Sequence, residues 1–221
     1  MLSSDHIHHR SQITASAVAI LTLWLAVVML LAARGAYNRD PGSLPLPILL
    51  GVTFPIMVFL TLYSVWPTFR WFILSLDLVP VTAIQAWRFG GLGFLALYAY
   101  GILPGHFAWP AGLGDMAIGA SAVWVAWALS RRPQFASSRS FAIWNLLGIV
   151  DLVVAVGVGA ASSGLGLGEY GEITTGPMAR MPLVLVPGFL VPCFIMLHLT
   201  ALIQAQRLIM SGGFWQTGFS R

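Results

Sequence analysis

Six stretches of this sequence run for about 20 residues with almost no charge, which is the length of helix that crosses a hydrocarbon core of about 30 Å. They fall at about Thr14 to Ala33, Leu46 to Val65, Val81 to Leu103, Phe107 to Leu129, Ser140 to Ala161 and Pro182 to Leu208. The pattern predicts an all-α polytopic membrane bundle, with a single transmembrane domain over 14–208 between tails at 1–13 and 209–221. Composition agrees, because 58% of the 221 residues are apolar and only 8% are charged, against about a quarter in soluble domains.

The first stretch resembles a signal peptide in that Arg10 precedes it and Leu31-Ala32-Ala33 offers small residues for cleavage. An h-region is about 7–15 residues long and this run is about 20, so it reads as a retained span. Between the second and third spans, Thr68 to Leu78 carries Arg70 and Asp77 and reads as a short helix in the interface. Trp66 and Trp71 would anchor it, and Pro80 would separate it from the next span. Arginine placement sets orientation. One side receives Arg10, Arg70, Arg131, Arg132, Arg139, Arg207 and Arg221, and the other Arg34, Arg39 and Arg180. Seven against three puts both termini in the cytoplasm, in an inner membrane.

Several chemistries are excluded. There is no Lys, so neither a Schiff base nor a Walker-type phosphate loop can form. The single Cys193 rules out an internal disulfide and a four-cysteine metal site. The basic balance, +4, comes from arginines spread over loop ends, which points to anionic lipid headgroups as partners and not to nucleic acid. No internal repeat supports an inverted-repeat transporter. No cofactor or metal is expected. Asp5, His6, His8 and His9 would be metal ligands only in a structured tail, and a polar tail is the plainer reading.

Ionisable groups at bilayer depth cost about 2.5–3.5 kcal/mol each and must face partners inside the bundle. Counting about 1.5 Å per residue from the span ends sorts Asn145, His198, Arg88 and Asp151 into one cluster toward the cytoplasmic boundary. Asp115 falls at roughly 21 Å, apart from the others. Arg88 and Asp151 form the expected ion pair. It either locks two helices together or lines a polar pocket that His198 and Asn145 complete as a ligand site or proton relay.

Local features favour close helix approach. Asn145, Gly148, Asp151, Ala155 and Gly159 share one face of the fifth span, as Gly112, Asp115 and Gly119 do on the fourth. Pro55, Pro187 and Pro192 each remove a helical donor, leaving the carbonyls of Gly51, Leu183 and Gly188 to be satisfied otherwise. Such breaks mark either kinked packing helices or substrate and ion sites. The long connection from Ser162 to Met181, with Glu169, Tyr170 and Glu172, reads as a flexible outer loop or an external lid.

Gly112-Leu113-Gly114-Asp115 matches the GxGD motif of intramembrane aspartyl proteases, with Asp151 or Asp77 as the second carboxylate. Neither follows Tyr, and with Asp151 the order along the chain is reversed. A serine–histidine dyad of Ser162 or Ser163 with His198 fails, because the two lie at opposite edges of the membrane. Haem ligation by His106 and His198 fails for the same reason.

Gln85 with Arg88, Gly101-Ile102-Leu103-Pro104, Gly114-Asp115, Asn145 with Asp151, and Pro187 through Pro192 to His198 together resemble a group of uncharacterised bacterial multi-pass inner-membrane proteins. The resemblance spans about Leu78 to Leu208 and implies a class, with no activity attached. The function expected from the residues is a small-solute or proton-linked binding or transport protein. Arg88 and Asp151 would line the site, and His198 would titrate. Arg88 would favour an anionic ligand or hold Asp151 ionised. The alternatives are a non-catalytic membrane subunit or assembly factor, with an oligomeric or subunit partner, and an intramembrane enzyme.

Overall fold

The computed structural model describes residues 4–38, 43–164 and 173–216, and they are helical with no strand among them. Helices α1 (Ser4–Ala33), α2 (Leu46–Val65), α6 (Gly105–Arg131), α7 (Arg139–Gly164) and α8 (Val191–Gln216, continued back to Val186) supply five segments long and apolar enough to cross a membrane. A sixth is broken. The segment Leu78–Ala99 qualifies only together with α3 (Pro67–Ser75), from which it turns by 79°. It consists of α4 (Leu78–Ala83), a 3₁₀ stretch (Ile84–Gly91) and α5 (Leu92–Ala99).

The turn between α3 and α4 falls at Leu76 and Asp77, not at Pro80. Asp77 starts α4 by accepting the Val79 N–H at 2.8 Å, and Pro80 sits in the first helical turn, where a missing N–H leaves no bond unmade. Helix α3 is held from both sides. Arg70 donates from Nε to the Tyr63 carbonyl at 3.0 Å and from Nη2 to the Ser64 carbonyl, capping the open end of α2. From α8, Gln204 donates Nε2 to the carbonyls of Ile73 and Leu76 at 2.8 and 3.0 Å, closing α3. Phe59 meets Phe69 edge-on at 5.7 Å.

The prolines before α8 act differently from a plain kink. A π segment, Val186–Leu190, carries Pro187 and precedes α8. The Leu183 carbonyl, expected to lack a donor, accepts the Val186 N–H at 3.0 Å, because the chain tightens there into a local turn. The sixth span therefore starts near Val186, and α8 runs on to Gln216. Glu169, Tyr170 and Glu172 lie outside the described residues, as do the side chains of Asp5, His6, His8 and His9.

Glycines set the helix spacing. A Cβ at Gly119 would strike the backbone of Arg88 and Phe89, and one at Gly112 would lie 3.0 Å from the Gly91 carbonyl oxygen. Helix α6 thus meets the 3₁₀ stretch backbone to backbone, as small residues permit in membranes. Apolar clusters fill the space on either side. Phe94, Leu103, Phe107 and Ala111 pack at one end of the bundle, and Leu129, Ala136, Phe141, Ala201 and Ala205 at the other, where Leu78 and Val79 join them. Helix α1 stands at the edge, 6% buried against 44% for the last span, and touches the bundle through Val28, Tyr37 and a Trp24–Phe189 ring contact at 4.8 Å.

Candidate functional site: a buried arginine between two aspartates

The 3₁₀ stretch decides which side chains face inward. Its period of three residues per turn eclipses positions three apart, so Gln85 and Arg88 fall in one row on the buried side, continued by Thr82 in the last turn of α4. Thr82, Gln85 and Arg88 are 2%, 1% and 2% exposed. Trp87, next to Arg88 in the chain, faces the opposite way and is 81% exposed.

Arg88 ties the 3₁₀ stretch to three other helices. Its Nε donates to Asp115 Oδ1 on α6 at 2.7 Å, and its Nη2 donates to Asp151 Oδ2 on α7. Nη1 donates to the Gly148 carbonyl on α7 and to His198 Nε2 on α8, both at 3.1 Å. Four of the five guanidinium N–H groups are thereby used. Asp115, expected some distance above the cluster, is inside it. The depth count assumed an α-helical rise throughout and span ends two or more residues too short; the 3₁₀ stretch climbs about 2.0 Å per residue and lifts Arg88 toward Asp115.

A chain of oriented donors fixes the histidine. Asn145 donates Nδ2 to the Phe141 carbonyl at 2.9 Å, which leaves its Oδ1 as the acceptor facing His198 Nδ1, also at 2.9 Å. His198 therefore carries its proton on Nδ1 and accepts from Arg88 at Nε2. A second proton on the ring would set a cation against the guanidinium. The reading of His198 as a freely titrating group gives way to one in which it positions Arg88.

Two glycines make room for these groups. A Cβ at Gly148 would collide with the His198 imidazole, and one at Gly114 with the Asp151 carboxylate. Trp144 closes the cluster with an edge-on ring contact to His198 at 5.4 Å, and its indole N–H is anchored on Ser121 of α6 at 2.9 Å.

The formal charges do not balance. With both carboxylates ionised beside one guanidinium and a neutral imidazole, the cluster would be one positive charge short, and a proton or a cation would balance it. Asp115 also lines a cavity of about 60 Å³, otherwise walled mainly by apolar side chains including Phe94, Phe107, Leu152 and Val191. Pro187 of the π segment lines it too, while Pro55 and Pro192 do not. The cavity lies toward the end of the bundle that holds Ser163, Thr175 and Gly176.

Among the described residues no three His, Cys, Asp or Glu side chains converge as a metal site would need. The GxGD aspartate and Asp151 do come together, but on one guanidinium. That arrangement differs from a protease dyad, in which two carboxylates share a proton and a water with no cation clamped on both. The sequence reading missed one polar pair. His106 Nε2 lies 2.8 Å from Ser162 Oγ, joining the start of α6 to the end of α7. Their placement at the outer ends of adjacent antiparallel spans was the available signal. Ser162 is 5% exposed, and the contact fastens the two helix ends.

Comparison with curated proteins and with solved structures finds no match. A family profile described as Domain of unknown function (DUF8737) matches residues 45–205, which take in α2 through most of α8 and every residue of the arginine cluster, and the chain belongs to that family.

Proposed function

We propose that the protein is a proton-linked binding or transport protein for a small solute, set in a bacterial inner membrane by six spans with both termini cytoplasmic. One observation carries this reading. Arg88 is shared by Asp115 and Asp151 deep among four elements, one charge short of neutrality when both acids are ionised, beside a cavity that Asp115 lines. Uncompensated charge in a bilayer is expensive, so such a cluster binds and releases a proton in step with whatever occupies the cavity. Loading either carboxylate weakens one arm of the Arg88 clamp and with it the hold of α6 or α7 on the 3₁₀ stretch.

The full chain in sealed liposomes, with an entrapped pH-sensitive dye and an imposed membrane potential, tests this directly. Protein-dependent proton movement is expected in the wild type and is expected to be lost in Asp115→Asn and Asp151→Asn that remain folded. Liposomes with wild-type protein that pass no more protons than empty ones would refute it.

A second reading has its own observation. Four of five guanidinium donors are already satisfied, which suits a permanent lock in a non-catalytic membrane subunit. Native mass spectrometry of gently solubilised protein separates the two. A retained small molecule, lost from folded Arg88→Ala and Asp151→Asn, supports the first. A stoichiometric protein partner with variants that only unfold sooner supports the second.

A further inference from the structure

Among the described residues two buried polar atoms lack a hydrogen-bond partner: the hydroxyl oxygen of Thr82 and the side-chain carbonyl oxygen of Gln85. Both belong to the row that ends in Arg88. Gln85 cannot simply be turned, because its Nε2 donates to the Phe194 carbonyl at 3.2 Å and so fixes the direction of Oε1. A buried polar group without a partner is costly, and native interiors meet that demand with ordered water. Thr82 and Gln85, three residues apart across the junction of α4 and the 3₁₀ stretch, present a hydroxyl and an acceptor on the buried side, groups suited to hold water.

The position of the row gives that water a use. Thr82 lies one turn above Leu78 and Val79, which pack with Leu129, Ala136 and Phe141 at the end of the bundle where Arg131, Arg132 and Arg139 stand. The Asp115-lined cavity lies on the other side of Arg88, toward Ser163 and Thr175. Its 60 Å³ has room for water beside the Asp115 carboxylate, while the rest of the wall is mainly apolar. Thr82 and Gln85 thus lie between an apolar cluster at one end of the bundle and the Arg88 cluster, with the Asp115-lined cavity beyond it.

We infer that water held by Thr82 and Gln85 passes protons to the Arg88 cluster, and that Asp115 exchanges them with the cavity on the other side of that cluster. This rests on the proton-linked reading above and adds the route. Water on the row, carrying an extra proton, gives it to a carboxylate oxygen of Asp151 or Asp115; one O–H bond breaks at the hydronium and one forms at the carboxyl. The carboxyl later returns the proton to water in the cavity. No electron is transferred and no further reactant is needed.

Thr82→Val keeps the side-chain shape and removes the hydroxyl; Gln85→Leu removes the unpartnered carbonyl oxygen together with the Nε2 bond to the Phe194 carbonyl. In the liposome assay each is expected to slow proton movement by about 100-fold, the scale on which a positioned proton-transfer group acts. Thermal stability in detergent is expected to hold or rise for Thr82→Val, since a buried polar atom without a protein partner is removed. Thr22→Val, at an exposed hydroxyl on α1 bonded only to its own helix, is the control and keeps the wild-type rate. If wild type conducts and both variants conduct equally well, the route is overturned while the proton-linked reading stands. If wild type passes no protons, or carries sodium with no proton movement, both fall.

Discussion

Arg88 Nε donates to Asp115 Oδ1 at 2.7 Å, joining the 3₁₀ stretch to the middle of α6 across 27 residues of sequence. That bond turns a simple ion pair with Asp151 into a clamp with two acids and one base. Charge balance, helix packing and the neighbouring cavity all follow from it.

Removing the base from the clamp leaves two carboxylates buried without their cation. Arg88→Ala is expected to destabilise the fold by about 3–5 kcal/mol, read from thermal unfolding in detergent. Arg88→Gln combined with Asp115→Asn and Asp151→Asn is expected to recover most of that loss and to remain without proton movement. Recovery of transport in the uncharged triple variant would contradict the role given to the charges.

Arg88→Lys tests shape apart from charge. An ammonium is compact and cannot reach four acceptors on four sides as the planar fork does, so conduction and stability are both expected to drop although the charge is kept. Wild-type behaviour in this variant would mean that charge alone suffices.

Gly148 and Gly157 lie on the same helix in opposite circumstances. A Cβ at Gly148 meets the His198 ring, and one at Gly157 meets nothing within 4 Å. Gly148→Ala is expected to cost about 1–3 kcal/mol by forcing the imidazole off Arg88. Gly157→Ala is expected to gain up to about 1 kcal/mol from helix propensity. Unfolding temperatures measured side by side decide this.

His198→Phe fills the ring space but leaves Asn145 Oδ1 without its donor and Arg88 without one acceptor, a loss of about 1–3 kcal/mol. With His198 as a positioning group held in one tautomer, conduction is expected to fall in this variant without a change in the shape of its pH profile. A profile that loses one titration step in His198→Phe would return the histidine to the titrating role.

Helix α3 depends on Gln204. Gln204→Leu strips the donor from the Ile73 and Leu76 carbonyls, and hydrogen exchange is expected to rise over α3 while α6 and α7 stay protected. Unchanged exchange across α3 would show that its packing against Phe59 holds it without the cap.

The spans were legible because length and apolarity are local properties. The bounds of α2, Leu46 to Val65, coincide with those read from the chain, since proline stands at its first turn and again just past its end. The Arg88–Asp151 contact was legible on charge alone, as the one arginine inside a span needs an acid at comparable depth. Asp115 was misplaced because depth was counted with a single rise per residue, and nothing in Ile84–Gly91 announces 3₁₀ geometry except its two terminal glycines. The break at Asp77 was hidden behind the more conspicuous Pro80, although Asp is the better capping residue.

In the working cycle the Arg88 cluster takes up and releases a proton at one of its two carboxylates, Asp115 or Asp151. Infrared difference spectroscopy of the full protein in lipid, titrated with pH and referenced to Asp115→Asn and Asp151→Asn, reads the carboxylic acid C=O band directly. The account predicts a band in the wild type that appears and disappears with pH, and that each single variant abolishes. A wild type with no such band at any pH at which the protein is folded, or a band unchanged in both variants, would contradict it.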